Sequence, residues 1–275
     1  MIEAKIVADS IGPSGVRLTT YVLTYPRFIH SEFMTHRVFS RNASSSRAIP
    51  VLKQIQMVID NPAIPLAFTK NQKGMQGGEA LSGDEHDAAV KAWLEARDEA
   101  VKSARHLAAL EVHKQYANRI LEPFAHITVV CTGTEFNNFF ALRCHPAAQP
   151  EICELANKMY DLYQTNTPRS LINGMWHLPF SGGPNWSENT ELECIKCSVA
   201  RCARVSYLNH EGNHPTLKQD LELYERLLGS VPIHASPAEH QAMAIGDANV
   251  ISGNLRGWIQ YRKTLQNENI TIFKK

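Results

Sequence analysis

Thirteen residues, Thr35 to Arg47 (THRVFSRNASSSR), constrain the fold of this chain more than any other segment. His36, Arg37, Arg41 and Arg47 share the stretch with Asn42, Ser40, Ser44, Ser45 and Ser46, and only Val38 and Phe39 are large and apolar. Such a segment has little to bury. It must run along a surface and be fixed there by apolar neighbours on either side. Guanidinium forks match phosphate and carboxylate geometry, and hydroxyl and amide groups complete an anion's shell. Two readings are open: a solvated loop with hydroxyl caps, or the wall of an anion site.

Composition narrows the class. Of 275 residues, 44% are hydrophobic and 20% charged, so the chain can bury a core. A formal net charge of +1 argues against a general nucleic-acid binder, which needs a strong basic excess. No apolar run approaches the ~20 residues that span a bilayer. The N-terminus lacks the basic head and apolar core of a signal peptide, and a cytoplasmic location is the default expectation. Six cysteines (131, 144, 153, 194, 197, 202) then read as reduced thiols. Cys194-x-x-Cys197 lacks a second ligand pair, so no metal site is expected. Cys153 and Cys202 read as core.

The periodicity predicts mixed α and β structure. Residues 16–29 read as strand up to Pro26, with a short helix from Phe28 leading into the His36 segment. Residues 71–84 form a Gly-rich loop without a phosphate-loop pattern, either a lid or a plain connection. Residues 84–121 read as a long helix broken once, with Val90, Leu94, Val101, Leu107 and Leu110 in its apolar stripe. A β-branched strand is expected at 127–131, and helices at 136–143, 150–163, 192–205 and 216–228. A last helix is expected from Ser252 through Leu255, Trp258, Ile259 and Leu265. Residues 164–190, rich in Pro, Gly and Asn, read as a connection between two halves, 1–163 and 191–275, of a single domain.

Three motif groups resemble one family. His36, Arg37, Asn42, Ser45 and Arg47 match in register the Arg-His-Arg…Ser-x-Arg signature of flavin-dependent thymidylate synthases, with Thr35 in place of the first Arg. Asn138, then Phe139-Phe140-Ala141-Leu142-Arg143 and Ala148-Gln149-Pro150-Glu151-Ile152, resembles the family's second segment, and Arg119-Ile-Leu-Glu-Pro123 the stretch before it. Ala203-Arg204-Val205-Ser206-Tyr207 and His234-Ala-Ser-Pro-Ala-Glu-His240 resemble two further elements. In the family those two precede the signature; here they follow it. The order implies a circular permutation, with 164–190 bridging the family's old ends.

The resemblance implies an α+β fold, a central antiparallel sheet with helices in permuted motif order. It implies a homotetramer that converts dUMP to dTMP with FAD, NADPH and methylenetetrahydrofolate, each site drawing on several subunits and no cysteine nucleophile being used. Carried over residue by residue, His36, Arg37, Asn42, Asn138, Ser206, Ser236 and Glu239 would hold FAD, and His234 would lie near flavin and folate. Ser45, Arg47, Arg119 and Arg143, with Glu32, would face the pyrimidine deoxynucleotide monophosphate. Arg143 would stabilise negative charge developing on the pyrimidine; it stays protonated and cannot act as a base. Thr35, Ala43, Ala48 and Glu32 depart from the pattern. Glu32 in particular places a carboxylate beside a phosphate, which requires a compensating cation; Arg27, Arg41 and Lys73 are candidates. Two alternatives follow: hydroxymethylation of dUMP or dCMP on the same scaffold, and flavin or nucleotide binding without synthase activity.

Overall fold

In chain order β1 (Glu3–Ile11) and β2 (Arg17–Pro26) lead through a 3-10 turn into α1 (His30–Met34) and β3 (Ser40–Ala43). Next come α2 (Val51–Asp60), α3 (Gly83–Ala109), α4 (Lys114–Ala117), a 3-10 helix at Asn118–Phe124 and β4 (His126–Gly133). They are followed by α5 (Asn137–Arg143), α6 (Pro150–Thr165), β5 (Arg169–Ser170), β6 (Trp176–His177) and α7 (Glu191–Ala203). The chain closes with α8 (Leu217–Leu228), β7 (Ala242–Ala244), β8 (Ile251–Ser252), β9 (Leu255–Arg256) and β10 (Trp258–Gln260). This computed structural model describes residues 1–182, 186–205 and 215–271. Among them, the main sheet has the order β3-β4-β2-β1-β5, antiparallel except for the β1–β5 pair, and β10-β7-β6 form a second sheet. The fold is α+β, with a mostly antiparallel central sheet. No helix of the described residues is long and apolar enough to cross a membrane.

Strand alternation divides the main sheet into two unlike faces. Tyr21, Leu23 and Tyr25 of β2 and Ile127, Val129 and Cys131 of β4 point one way. They pack with Phe33, Phe39, Phe139, Ile152 and Leu155 in the principal core. Each fully buried side chain of this kind contributes about 1.5–3 kcal/mol. Thr20, Thr24, Thr128 and Thr132 point the other way. Thr24 and Thr128 open onto a cleft, whereas Thr20 and Thr132 are sealed.

The sealed threonines tie the C-terminal half to the sheet. Ser10 Oγ, His177, Thr20 Oγ1, Thr132 Oγ1 and His240 Nδ1 form an unbroken buried chain of hydrogen bonds 2.8–2.9 Å long. His177 lies on β6, and His240 follows the short 3-10 helix Ser236–Glu239. Desolvation drives both imidazoles down to about 3, so both are neutral. His240 Nε2 is buried without a partner.

The segment after Ser252 corrects the sequence reading. Leu255, Trp258 and Ile259 fall at helical spacing, yet the chain forms β8, β9, β10 and a 3-10 turn at Tyr261–Thr264. Gly253 and Gly257 have φ of +62° and +74°, which a helix cannot accommodate. They turn Leu255 and Trp258 into a core with Val16, Leu18 and Leu171. Cys153 is half-buried rather than core, while Cys202 is fully buried. The 71–84 loop is an exposed connection whose base is held by an isolated Thr69–Ala80 bridge. On α8, capped by Thr216, Asp220 is wholly buried and binds Arg201 and Arg204, each at 2.9 Å.

Candidate active site

The polar segment adds a strand, β3, to the sheet edge and then turns along the threonine face. Ser44 continues the pairing by exchanging hydrogen bonds with Thr128. Asn118 then clamps the loop by donating to the Ser46 and Ile49 carbonyls at 2.7 and 2.9 Å. Ser46 Oγ donates to Glu122, which also binds Arg27 and Arg119, each at 3.0 Å. Beneath this loop lies a cleft of about 1160 Å³. Asn42, Ser45 and Arg47 line it from the signature segment, Thr24 and Thr128 from the sheet, and His234 and Ser236 from the C-terminal half.

Asn42 joins the two halves of the site. Its amide donates to the Cys202 carbonyl at 2.8 Å, and its Oδ1 accepts from Ser236 Oγ at 3.3 Å. The residue just before the Ala203 motif and the third residue of the His234 motif, 160 and 194 residues downstream, therefore meet the signature segment directly.

A second cluster stands outside the cleft lining. Arg143, at the end of α5, donates from Nε to His36 Nε2 at 2.9 Å and approaches Glu32 Oε2 at 3.7 Å. His36 packs edge-on against Phe139, with ring centroids 4.9 Å apart. Burial, then Arg143 and Arg41, lower its pKa, so the ring is neutral with its proton on Nδ1 and Nε2 free to accept. The cation that compensates Glu32 is thus Arg143. Arg27 binds Glu122, and Arg41 caps α1 by donating to the Phe33, Met34 and His36 carbonyls.

The remaining candidates are scattered. Arg37 and Asn138 are exposed, and neither lines the cleft. Arg119 is held by Glu122, and Glu239 by Arg262 at 2.5 Å. Ser206 lies outside the described residues. Among the described residues no group of three His, Cys, Asp or Glu side chains could hold a metal, and Cys194 and Cys197 are buried in α7. Sequence reasoning missed Lys53, Gln54 and Lys114 as cleft residues. The helix carrying the first two was itself unforeseen, although VLKQIQMVID has the apolar spacing of an amphipathic helix.

The profile of the family described as thymidylate synthase complementing protein matches residues 15–169, more than half of the chain. The chain belongs to the thymidylate synthase complementing protein family. The matched span holds Glu32, His36, Arg37, Asn42, Ser45, Arg47, Arg119, Asn138 and Arg143, and ends before Ala203 and His234. Among solved structures, the UMP/dUMP methylase PolB from Streptomyces cacaoi bound with 5-Br UMP is similar in fold. Its TM-score is 0.51 at 18% identity, over 59% of this chain and 88% of that one. The same enzyme bound with 5-Br dUMP gives a TM-score of 0.49 at 17% identity, over 59% and 90%. No curated protein shows a significant sequence match.

Proposed function

We propose that this member of the thymidylate synthase complementing protein family is a flavin-dependent thymidylate synthase, methylating dUMP to dTMP with methylenetetrahydrofolate and NADPH. The observation that carries the reading is the bridge from Asn42 to Cys202 and Ser236. It brings the signature segment against the residue before the Ala203 motif and against Ser236 of the His234 motif, which is what a shared flavin site with permuted element order would require. Circular permutation accounts for that order, because packing depends on where elements sit and not on where the chain begins.

The cleft fits a dinucleotide. Its volume of about 1160 Å³ exceeds that of ordinary small-molecule sites, which span about 300–1000 Å³. Its walls alternate hydroxyl and amide groups with the cations Arg47, Lys53 and Lys114. Asn42, His234 and Ser236 would hold FAD there, and bound FAD would supply reducing equivalents. Ser45 and Arg47 would hold the nucleotide phosphate. Arg143 would stabilise negative charge on the pyrimidine as C5 attacks, with neutral His36 and Glu32 fixing its orientation. Arg143 lies outside the cleft lining of its own chain, so in a homotetramer it would reach the nucleotide bound at a neighbouring copy's cleft.

A second reading is hydroxymethylation of dUMP or dCMP. Glu32 bears on the base alone: its carboxylate could accept from the exocyclic amine of cytosine, where uracil presents a carbonyl. Flavin content tests both readings. Purified protein should release FAD on denaturation, and dUMP or dCMP added anaerobically should perturb the bound flavin's absorbance. A colourless protein that cannot be reconstituted with FAD would refute them.

A further inference from the structure

The cleft has a second anion-directed feature away from the family motifs. Ile49, Pro50, Lys53 and Gln54, at the start of α2, line its wall. This ten-residue helix begins without a cap. Pro50 at the N-cap carries no side-chain acceptor, and no acidic residue stands in the first turn. The start of the helix, where Ile49 and Pro50 line the cleft, therefore keeps its positive dipole uncompensated by a cap or an acidic side chain. Gln54 is the independent sign of a ligand. It is only 5% exposed, it lines the cleft, and its side-chain amide has no hydrogen-bond partner among the described residues. An amide buried to this degree normally finds a partner.

Charge around the turn agrees. Arg47 and Lys53 line the same cleft, and neither is ion-paired among the described residues. Lys114 reaches in from α4 and donates to the Ala48 carbonyl at 3.2 Å. Among the described residues, the one acidic residue of the lining, Asp60, sits at the far end of α2 and accepts from Gln56 at 2.6 Å. Helix N–H groups, a primary amide and two unpaired cations together suit a tetrahedral oxyanion.

We infer that the first turn of α2, with Gln54, Lys53 and Arg47, is an oxyanion subsite that takes a phosphate group. It rests on the proposed function only for the phosphate's source, which is either the 5′-phosphate of the nucleotide or the diphosphate of a dinucleotide.

Calorimetric titration of the full-length protein, without folate or NADPH, tests it. The probes are dUMP, FAD and inorganic phosphate; the variants are Lys53→Glu, Gln54→Leu and, as a charge control on α3, Lys102→Glu. Lys53 is exposed, so its variant should fold, as circular dichroism will verify. Lys53→Glu should weaken at least one probe about tenfold and flatten its salt dependence, whereas Lys102→Glu should leave all three unchanged. Weakened dUMP with unchanged FAD would assign the nucleotide phosphate; the reverse would assign the diphosphate. Unchanged affinities in Lys53→Glu, equal losses in the control, or a wild type that binds none of the probes would each overturn the inference. Binding losses without any nucleotide product would leave the subsite standing and remove the synthase reading alone.

Discussion

The buried chain from Ser10 to His240 makes stability depend steeply on acid. Both His177 and His240 are neutral in the folded protein, with pKa values lowered from 6.5 to about 3 by desolvation. Asp9 opposes the shift at His177, and His177 adds to it at His240. Because the folded pKa is depressed for a base, the stabilisation is full above the unfolded value and is lost as pH falls from about 6.5 toward 3. At pH 5 both rings are still neutral when folded, so the loss is set by protonation of the unfolded chain. For an unfolded pKa of about 6.5 it amounts to about 2 kcal/mol per histidine between pH 7.5 and 5, or about 4 kcal/mol for the pair. The perturbation is His240→Gln, which keeps a group able to bond Thr132 but cannot titrate. Urea unfolding at pH 7.5 and 5.0 should show the variant losing about 2 kcal/mol less than wild type over that interval. If the two proteins lose stability in parallel, the buried chain is not the acid-sensitive element. The acid-released segment would be the one that carries His234 and Ser236, so flavin affinity should fall over the same range.

Three further outcomes are expected. Asn42→Ala removes two hydrogen bonds between the signature segment and the C-terminal half, and should lower stability by about 1–3 kcal/mol in urea while weakening flavin binding more than Ser46→Ala does. Asp220→Ala leaves Arg201 and Arg204 without their buried partner, and should cost about 3–5 kcal/mol, measured by the same unfolding assay. Arg143→Ala should reduce kcat about 10²–10³-fold while FAD remains bound; a variant with full turnover would remove Arg143 from the chemistry.

The sequence was most informative where one physical rule dominated. The Thr- and Tyr-rich run that became β2 declared itself through β-favouring residues ending at Pro26, and α8 through its stop at Gly229. The last segment misled because Leu255, Trp258 and Ile259 carry a helical period that positive-φ glycines override. The Ser252-Gly253-Asn254 run between apolar residues was the available turn signal. β1 was overlooked because the alternation of Glu3-Ala4-Lys5-Ile6 breaks at Val7-Ala8, where its pairing with β2 shifts register. Asn42, Ser45, Arg47, His234 and Ser236, which line the cleft, could be named through the motifs' resemblance to the family pattern. Lys53 and Gln54 could not, since a lysine and a glutamine on an amphipathic helix carry no signal until the fold turns that helix toward a cleft. The pairing of Arg143 with Glu32 was hidden for the same reason: 111 residues separate them, and only α1 and α5 packing side by side on Phe33 and Phe139 joins them.

The most direct test of the synthase reading is the mass of the nucleotide product. Protein incubated anaerobically with NADPH, methylenetetrahydrofolate and either dUMP or dCMP should convert dUMP to a species heavier by one methylene unit and leave dCMP unchanged. A hydroxymethyl product on either base would contradict reductive methylation and assign the departures at Thr35 and Glu32 to a changed reaction. Unaltered nucleotides with FAD bound would contradict synthase activity altogether.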